Sequence, residues 1–135
     1  MYRSPSSPLP DYLDYLETCL HQITSEKKLA VLMGDLNIDL LSDSSSVYSN
    51  CMESYGFRKW ITLPTRQNDQ SSTLIDHIYS NMDLLNINSG ILINDLSDHF
   101  PIFAFTPNNI NLKNRDIIEK KLLLDKLKKN LQHQQ

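Results

Sequence analysis

The first residues in this sequence that could take part in catalysis or binding follow its most apolar stretch. Residues 29–33 are apolar without a break, Gly34 ends the run, and Asp35 and Asn37 follow with one residue between them. Polar groups just beyond the carboxyl end of a central strand face the ligand crevice in α/β sheets. The alternative is a strand-to-loop turn in which Asp35 and Asn37 bond their own backbone. The run itself predicts a strand buried on both faces, although a short run is also compatible with buried helix.

A second carboxylate lies inside the apolar segment 73–79. Asp76 and His77 are adjacent there, so on a strand their side chains point to opposite faces. Asp76 shares its face with Leu74 and Ile78 and must therefore have a partner. A backbone N–H or an arginine would be a structural partner, and a histidine would be a functional one. We expect His77 to be half-exposed and structural.

A third cluster, Asp98 followed by His99, precedes the apolar segment 102–105. Carboxylate and imidazole groups suit metal and proton chemistry. Turns often carry both residue types, so this pair alone is weak evidence. The coincidence of three such clusters in one short chain argues for a shared site.

Several elements must position these clusters. Leucines spaced by three and four residues after Asp11 predict an amphipathic helix that is capped by Asp11 and ends before Lys27. A second helix is predicted near residues 47–55, with Gly56 as its C-terminal cap and an apolar face made of Val47, Cys51, Met52 and Tyr55. Further strands are predicted at residues 57–61, 73–79, 90–93 and 102–105. Residues 65–72 form a polar loop, in which Arg66 is expected to be solvated rather than bound to phosphate.

Composition limits the function classes. The 135 residues suit one domain, and 40% hydrophobic with 21% charged residues is ordinary for a globular protein. No apolar run approaches the ~20 residues of a membrane helix, so no membrane partner is expected. Cys19 and Cys51 are isolated, which favours free thiols and an intracellular setting over a disulfide or metal site.

Charge is distributed unevenly along the chain. Residues 111–135 hold seven Lys/Arg and three Asp/Glu, whereas residues 1–110 hold six and thirteen. An acidic body is a poor nucleic-acid surface at long range, but clustered carboxylates could hold a divalent cation.

The three clusters together resemble the endonuclease/exonuclease/phosphatase superfamily, which includes deoxyribonuclease-like and apurinic endonuclease-like enzymes. The segments 64–66, 72–78 and 80–81 are more closely similar to the endonuclease of non-LTR (LINE-type) retrotransposons, and residues 2–8 look like the loop before its first helix. The resemblance covers about residues 2–105. It implies hydrolysis of a phosphodiester in DNA, in the nucleus, with Mg²⁺ or Mn²⁺ as cofactor.

The resemblance also implies a role for each polar residue. Asp35 would orient or activate the attacking water, and Asn37 would hold the phosphate through its amide. Tyr2 would match the family's phosphate-facing tyrosine. These groups would act at one end of a sheet, close to the Asp76 and His99 pair.

The remaining implied roles concern the proton and the metal. His99 would contact the scissile phosphate or shuttle a proton, and Asp76 would orient its ring. Asp98 would bind the metal or help polarise the site. These roles match the reaction, because phosphodiester hydrolysis needs a positioned water, charge neutralisation and help for the leaving oxygen.

The implied fold is an α/β two-sheet sandwich built from two similar halves. Residues 1–107 would be its C-terminal half only, truncated at the N-terminus, and the glutamate that is the principal Mg²⁺ ligand has no counterpart here. The missing half, or a reverse transcriptase region of a full-length element, would then be partners. Two alternatives remain: a catalytically inactive remnant or partner-binding fragment, and a phosphatase acting on lipid or inositol phosphates.

Residues 108–135 differ in character from the rest. A polar linker is predicted at 108–114, followed by a basic amphipathic helix in which Ile117, Leu124 and Leu131 recur at intervals of seven. A solvated or partner-binding helix is favoured over a nucleic-acid clamp. No polymerase motif occurs in it.

Overall fold

A computed structural model describes residues 1–82 and 87–106 of the chain. The predicted linker and basic helix of residues 108–135 lie outside the described residues, as does the boundary at residue 107. Within the described part, no helix is long and apolar enough to cross a bilayer.

Two helices and seven short strands make up the described chain. The helices are α1 (Leu9–Ser25) and α2 (Ser46–Ser54), and a single 3₁₀ turn (Asp43–Ser45) leads into α2. The strands are β1 (Val31–Asp35), β2 (Arg58–Lys59), β3 (Arg66–Gln67), β4 (Ser72–Thr73), β5 (Asp76–Ser80), β6 (Asn88–Ile91) and β7 (Ile102–Phe105). The mixture of helix and strand confirms the predicted α/β class.

The strands form three small antiparallel sheets. The first has the order β1–β5–β2, so β5 is its middle strand. Strands β3 and β4 pair as a hairpin, and β6 pairs with β7. Residues 1–3 extend the first sheet beyond β1 through a parallel bridge between Tyr2 and Asp35.

Helix α1 packs its apolar stripe onto the sheet. Leu16, Leu20 and Ile23 are buried in one cluster with Tyr79 of β5. The helix ends at Ser25, as expected, but the predicted cap at Asp11 is wrong. Pro8 occupies the cap position, and Asp11 follows Pro10 in the first turn, because proline has a φ that suits the start of a helix and needs no N–H partner there.

Helix α2 buries most of the predicted face, since Met52 is buried and Cys51 and Tyr55 are partly buried against the same cluster, but Val47 is not part of it. Val47 is exposed, whereas Tyr48 and Met52 are buried against α1 and β5. The pattern misled because Tyr48 carries a polar hydroxyl that finds a partner inside, the ring of His77. Gly56 has a φ of 78° just after the helix, so its predicted capping role is confirmed.

The strand buried on both faces is β5, not β1 as predicted. Val31 and Met33 are 37% and 38% exposed, whereas Ile78 of β5 is fully buried. The cause is position. In the described sheet β5 lies between two strands, with the α1–α2 cluster on the face of Tyr79 and a second cluster on the face of Ile78. That second cluster includes residues of β6 and β7.

His77 is structural, as expected, but it is buried rather than half-exposed. Its ring is 1% accessible and contacts the carbonyl of Ile38 through Nε2 at 2.9 Å and the hydroxyl of Tyr48 through Nδ1 at 3.3 Å. Burial disfavours the charged imidazolium, so the pKa of His77 is lowered below its ordinary value; its backbone hydrogen bonds oppose this only in part.

The lowered pKa of His77 predicts a pH-dependent stability. Below about pH 6.5 the unfolded chain binds a proton at this ring that the folded chain resists, so the free energy of unfolding falls as the pH drops through that value. In His77→Gln this contribution to the slope disappears. Urea unfolding between about pH 8 and about pH 5.5 measures it.

The matched control is His21→Gln, since His21 is exposed on α1. It is expected to keep the wild-type slope of stability against pH. Identical slopes for the wild type and His77→Gln would show that the buried ring does not resist protonation.

Candidate active site

The two strand-end carboxylates are brought together by the register of the first sheet. Asp35 is the last residue of β1 and Asp76 is the first of β5, and the two are direct partners across the antiparallel pair. Residues opposite each other in such a pair project to the same face. The sheet therefore places two carboxylates side by side at one end.

His99 completes this group from a turn that precedes β7. Its Nδ1 lies 2.9 Å from Oδ2 of Asp76, so the hydrogen bond expected between these two residues is present. The Asp76 side chain is 15% exposed and that of His99 is 33% exposed. A carboxylate only accepts, so the imidazole donates through Nδ1, which leaves Nε2 for other chemistry.

One ligand atom from each of Asp35, Asp76 and His99 lies within 4.8 Å of the others. The donor set contains two carboxylates, and Mg²⁺ or Mn²⁺ typically binds one or two carboxylates together with water and substrate phosphate. The residues present fit such a cation, with the carboxylates as its ligands. His99 already donates to Asp76, so its ring is better suited to a proton or a phosphate.

Strand β3 fastens both members of the Asp76–His99 pair. The buried Thr65 just before it accepts the backbone N–H of Asp76 at 2.9 Å through Oγ1 and that of Phe100 at 2.7 Å through its carbonyl. The next residue, Arg66, forms an antiparallel bridge with His99. Thr65 was not singled out from the sequence, because nothing in a polar loop pattern indicates that one hydroxyl in it is buried.

Asp98 forms a salt bridge with an arginine. Its Oδ2 lies 2.7 Å from Nε of Arg66, and this hydrogen bond lowers the pKa of the exposed carboxyl. Arg66 is therefore paired with Asp98, whereas the sequence had indicated a solvated side chain. Asp98 is not part of the three-residue group within 4.8 Å, and its role as a metal ligand stays a prediction.

Asn37 lies beside Asp35 in a left-handed conformation with a φ of 49°. Its backbone N–H donates to Oδ1 of Asp35 at 3.1 Å, and its side-chain amide donates to the carbonyl of Arg3 at 2.9 Å. The turn considered as an alternative is thus real, and it coexists with the cluster. One of the two amide N–H bonds of Asn37 is still able to bind a ligand.

Tyr2 enters the same region through its backbone. It bridges Asp35 in parallel, and its side chain is 56% exposed. This approach requires Gly34, because a Cβ at that position would lie 1.7 Å from the carbonyl oxygen of Met1. The structure therefore brings Tyr2, Asp35, Asn37, Asp76 and His99 to one end of the sheet, while their catalytic roles stay predictions.

Comparison with solved structures gives the architecture a precedent. The endonuclease domain of TRAS1, a telomere-specific non-LTR retrotransposon, matches 84% of this chain with a TM-score of 0.62 at 15% sequence identity. The chain has the fold of a retrotransposon endonuclease domain. It spans 56% of the length of the TRAS1 domain. No protein-family model matches the sequence, and no curated protein matches it.

The likeness to the TRAS1 domain confirms the α/β fold that the sequence resemblance implied, over the part of that domain that the chain spans. At 15% identity the two chains agree in the path of the backbone rather than in amino-acid sequence. The Asp76–His99 hydrogen bond is an independent observation on this chain, since it follows from its own side chains.

We predict that neutral His99 exists as the Nδ1–H tautomer because Asp76 accepts that hydrogen. Replacing Asp76 by alanine removes the acceptor, and the preference for this tautomer should then be lost. Long-range ¹⁵N–¹H correlation NMR on the neutral ring measures the tautomer directly.

Asp98→Asn is the matched control, since it alters the neighbouring carboxylate but leaves the acceptor of His99 intact. It should retain the Nδ1–H tautomer. An Nε2–H tautomer in the wild type would contradict the assigned hydrogen bond.

Proposed function

We propose that this chain is part of a metal-dependent phosphodiesterase domain that nicks DNA, of the kind found in non-LTR retrotransposons. The observation that carries the proposal is the convergence of Asp35 with the hydrogen-bonded Asp76–His99 pair at one end of the sheet. The TRAS1-like fold supports an endonuclease over other hydrolases that place a histidine beside carboxylates. Chromosomal DNA as substrate implies action in the nucleus.

Each side chain of the cluster has a task in this reaction. Asp35 orients the attacking water, and the remaining amide N–H of Asn37 holds a phosphoryl oxygen. Asp76 fixes the ring of His99, so that Nε2 either accepts a proton or, when the ring is protonated, donates to the phosphate. Tyr2 supplies a further contact to the phosphate from the exposed edge.

A divalent cation, Mg²⁺ or Mn²⁺, would neutralise charge on the phosphoryl oxygens when bound. Asp35 and Asp76 are the carboxylates placed to hold it, and Asp98 could join only by releasing Arg66. We propose that further ligands, including the glutamate implied by the sequence resemblance, come from a part of the domain that this chain does not contain. The share of the TRAS1 domain that the chain spans supports this.

A catalytically inactive or partner-binding fragment is the second candidate. The exposure of Val31 and Met33, on the face of β1 that the sequence predicted to be buried, favours it. Such a fragment would retain the cluster as an inherited feature without turnover. The two candidates differ in what happens when the rest of the domain is supplied.

The deciding experiment is plasmid nicking with Mg²⁺ or Mn²⁺. The chain by itself is expected to nick weakly or not at all, because its set of metal ligands is incomplete. Fusing the N-terminal part of a related element's endonuclease domain ahead of Tyr2 should restore nicking. In this fusion, His99→Ala and Asp35→Ala should each lower the rate by about 100-fold or more.

His21→Ala is the control in the fusion, because this histidine is exposed on α1 and belongs to none of the three clusters. It should leave the rate unchanged. Robust nicking by the unfused chain that survives His99→Ala would contradict the mechanism. A folded fusion without nicking would favour the inactive fragment, and release of phosphate from inositol phosphates instead would favour a phosphatase.

A further inference from the structure

Arg3 is a buried cation whose role the proposed reaction does not yet include. It is 9% exposed, although arginine is rarely buried without partners. Its Nη1 donates to the carbonyls of Leu36 at 3.3 Å and Asn37 at 3.2 Å, and its Nη2 donates to the carbonyl of Ser7. Nη1 therefore ends on backbone oxygens of the turn that follows β1, and Nη2 ends on the segment that precedes α1.

The backbone of Arg3 grips the same turn. Its N–H donates to the carbonyl of Asp35 at 3.0 Å, and its carbonyl accepts the side-chain amide of Asn37 at 2.9 Å. Every residue from Asp35 to Asn37 is thus bonded to Arg3. The Cζ of Arg3 also lies 6.0 Å from the centre of the Tyr12 ring, which connects the turn to α1.

The turn needs such support. Asn37 has a φ of 49°, a conformation that non-glycine residues adopt rarely and that asparagine tolerates better than most. In that conformation one N–H of the Asn37 side-chain amide donates to the carbonyl of Arg3, and the other can donate to a ligand. Oδ1 of Asp35 accepts the backbone N–H of Asn37. If the turn relaxed, the side-chain amide of Asn37 would move away from Asp35.

We propose that Arg3 is a positioning residue for Asn37, and that its side chain holds the 35–37 turn in the form that presents the free amide N–H to a phosphate. This rests on the phosphate role proposed for Asn37. A planar fork suits three carbonyls in different directions, whereas the single ammonium of a lysine cannot reach all three. The requirement is therefore for arginine and not for positive charge alone.

The test is hydrogen exchange by NMR on the full chain, together with titration by inorganic phosphate. In Arg3→Met, exchange at the backbone and side-chain N–H groups of Asn37 should accelerate by about tenfold or more, because charged hydrogen bonds that fix the turn are lost. The amides of β5 should change much less. Phosphate should shift the Asn37 side-chain signals in the wild type and shift them less in Arg3→Met.

Arg58→Met is the matched control, since it makes the same chemical change at an exposed position of β2. It should leave exchange and phosphate response at Asn37 unchanged. Arg3→Lys is the second variant, and it decides the matter if Arg3→Met does not fold. It should give faster exchange at Asn37 than the wild type, with the amides of β5 changed much less.

Three outcomes would overturn the proposal: unchanged exchange at Asn37 in Arg3→Met, equal acceleration at Asn37 and in β5, or full wild-type protection in Arg3→Lys. The second would show a general loss of stability rather than a hold on the turn. If phosphate leaves Asn37 unshifted in the wild type, the phosphate role of Asn37 falls. Selective acceleration in Arg3→Met would then still support the hold on the turn.

Discussion

The antiparallel register between β1 and β5 is the constraint on which the rest of this structure depends. It places Asp35 opposite Asp76 and, three positions along, Leu32 opposite Tyr79. A slip of one residue would turn every side chain of β5 to the other face, removing Tyr79 from the α1–α2 cluster and Asp76 from His99. The packing of the core and the geometry of the site are therefore fixed by the same pairing.

Two short segments then hold the site in the form that the register allows. Thr65 ties the start of β5 to the turn that carries His99, and Arg3 ties the end of β1 to the turn that carries Asn37. Neither segment belongs to a long helix or strand. Each satisfies backbone groups that would otherwise be buried without partners, so site geometry and backbone satisfaction are one requirement here.

The sequence predicted those features that arise from a local rule. The stripe Leu16, Leu20 and Ile23 gave α1, and a carboxylate at Asp76 on an apolar face required a partner, which proved to be His99. It could not show which apolar strand occupies the middle of the sheet, because runs of apolar residues look alike before pairing is known. Hence β1 was expected to be buried on both faces, a place that β5 takes.

The sequence also missed the start of α1, one residue of the buried face of α2 and the residues that support the site. Asp11 is a residue type that often caps helices, but α1 begins before it, at Leu9. Val47 is apolar but exposed, and the neighbouring Tyr48 is buried instead. Thr65 and Arg3 act through bonds to residues distant in sequence, and no periodicity reports such bonds. The three polar clusters contain the residues that meet at one end of the sheet, and their catalytic roles stay predictions. The bonds that support them appear only once the pairing in three dimensions is known.

The proposed function requires that Asp35 and Asp76, with His99 beside them, form one cation-assisted phosphodiester site. Substoichiometric Mn²⁺ added to the ¹⁵N-labelled chain tests it most directly, since the ion broadens the signals of nuclei close to where it binds. We expect selective broadening of the amides of residues 35, 76 and 99, weakened in Asp35→Asn. Broadening centred on the exposed acids of α1, with residues 35, 76 and 99 left sharp, would contradict it.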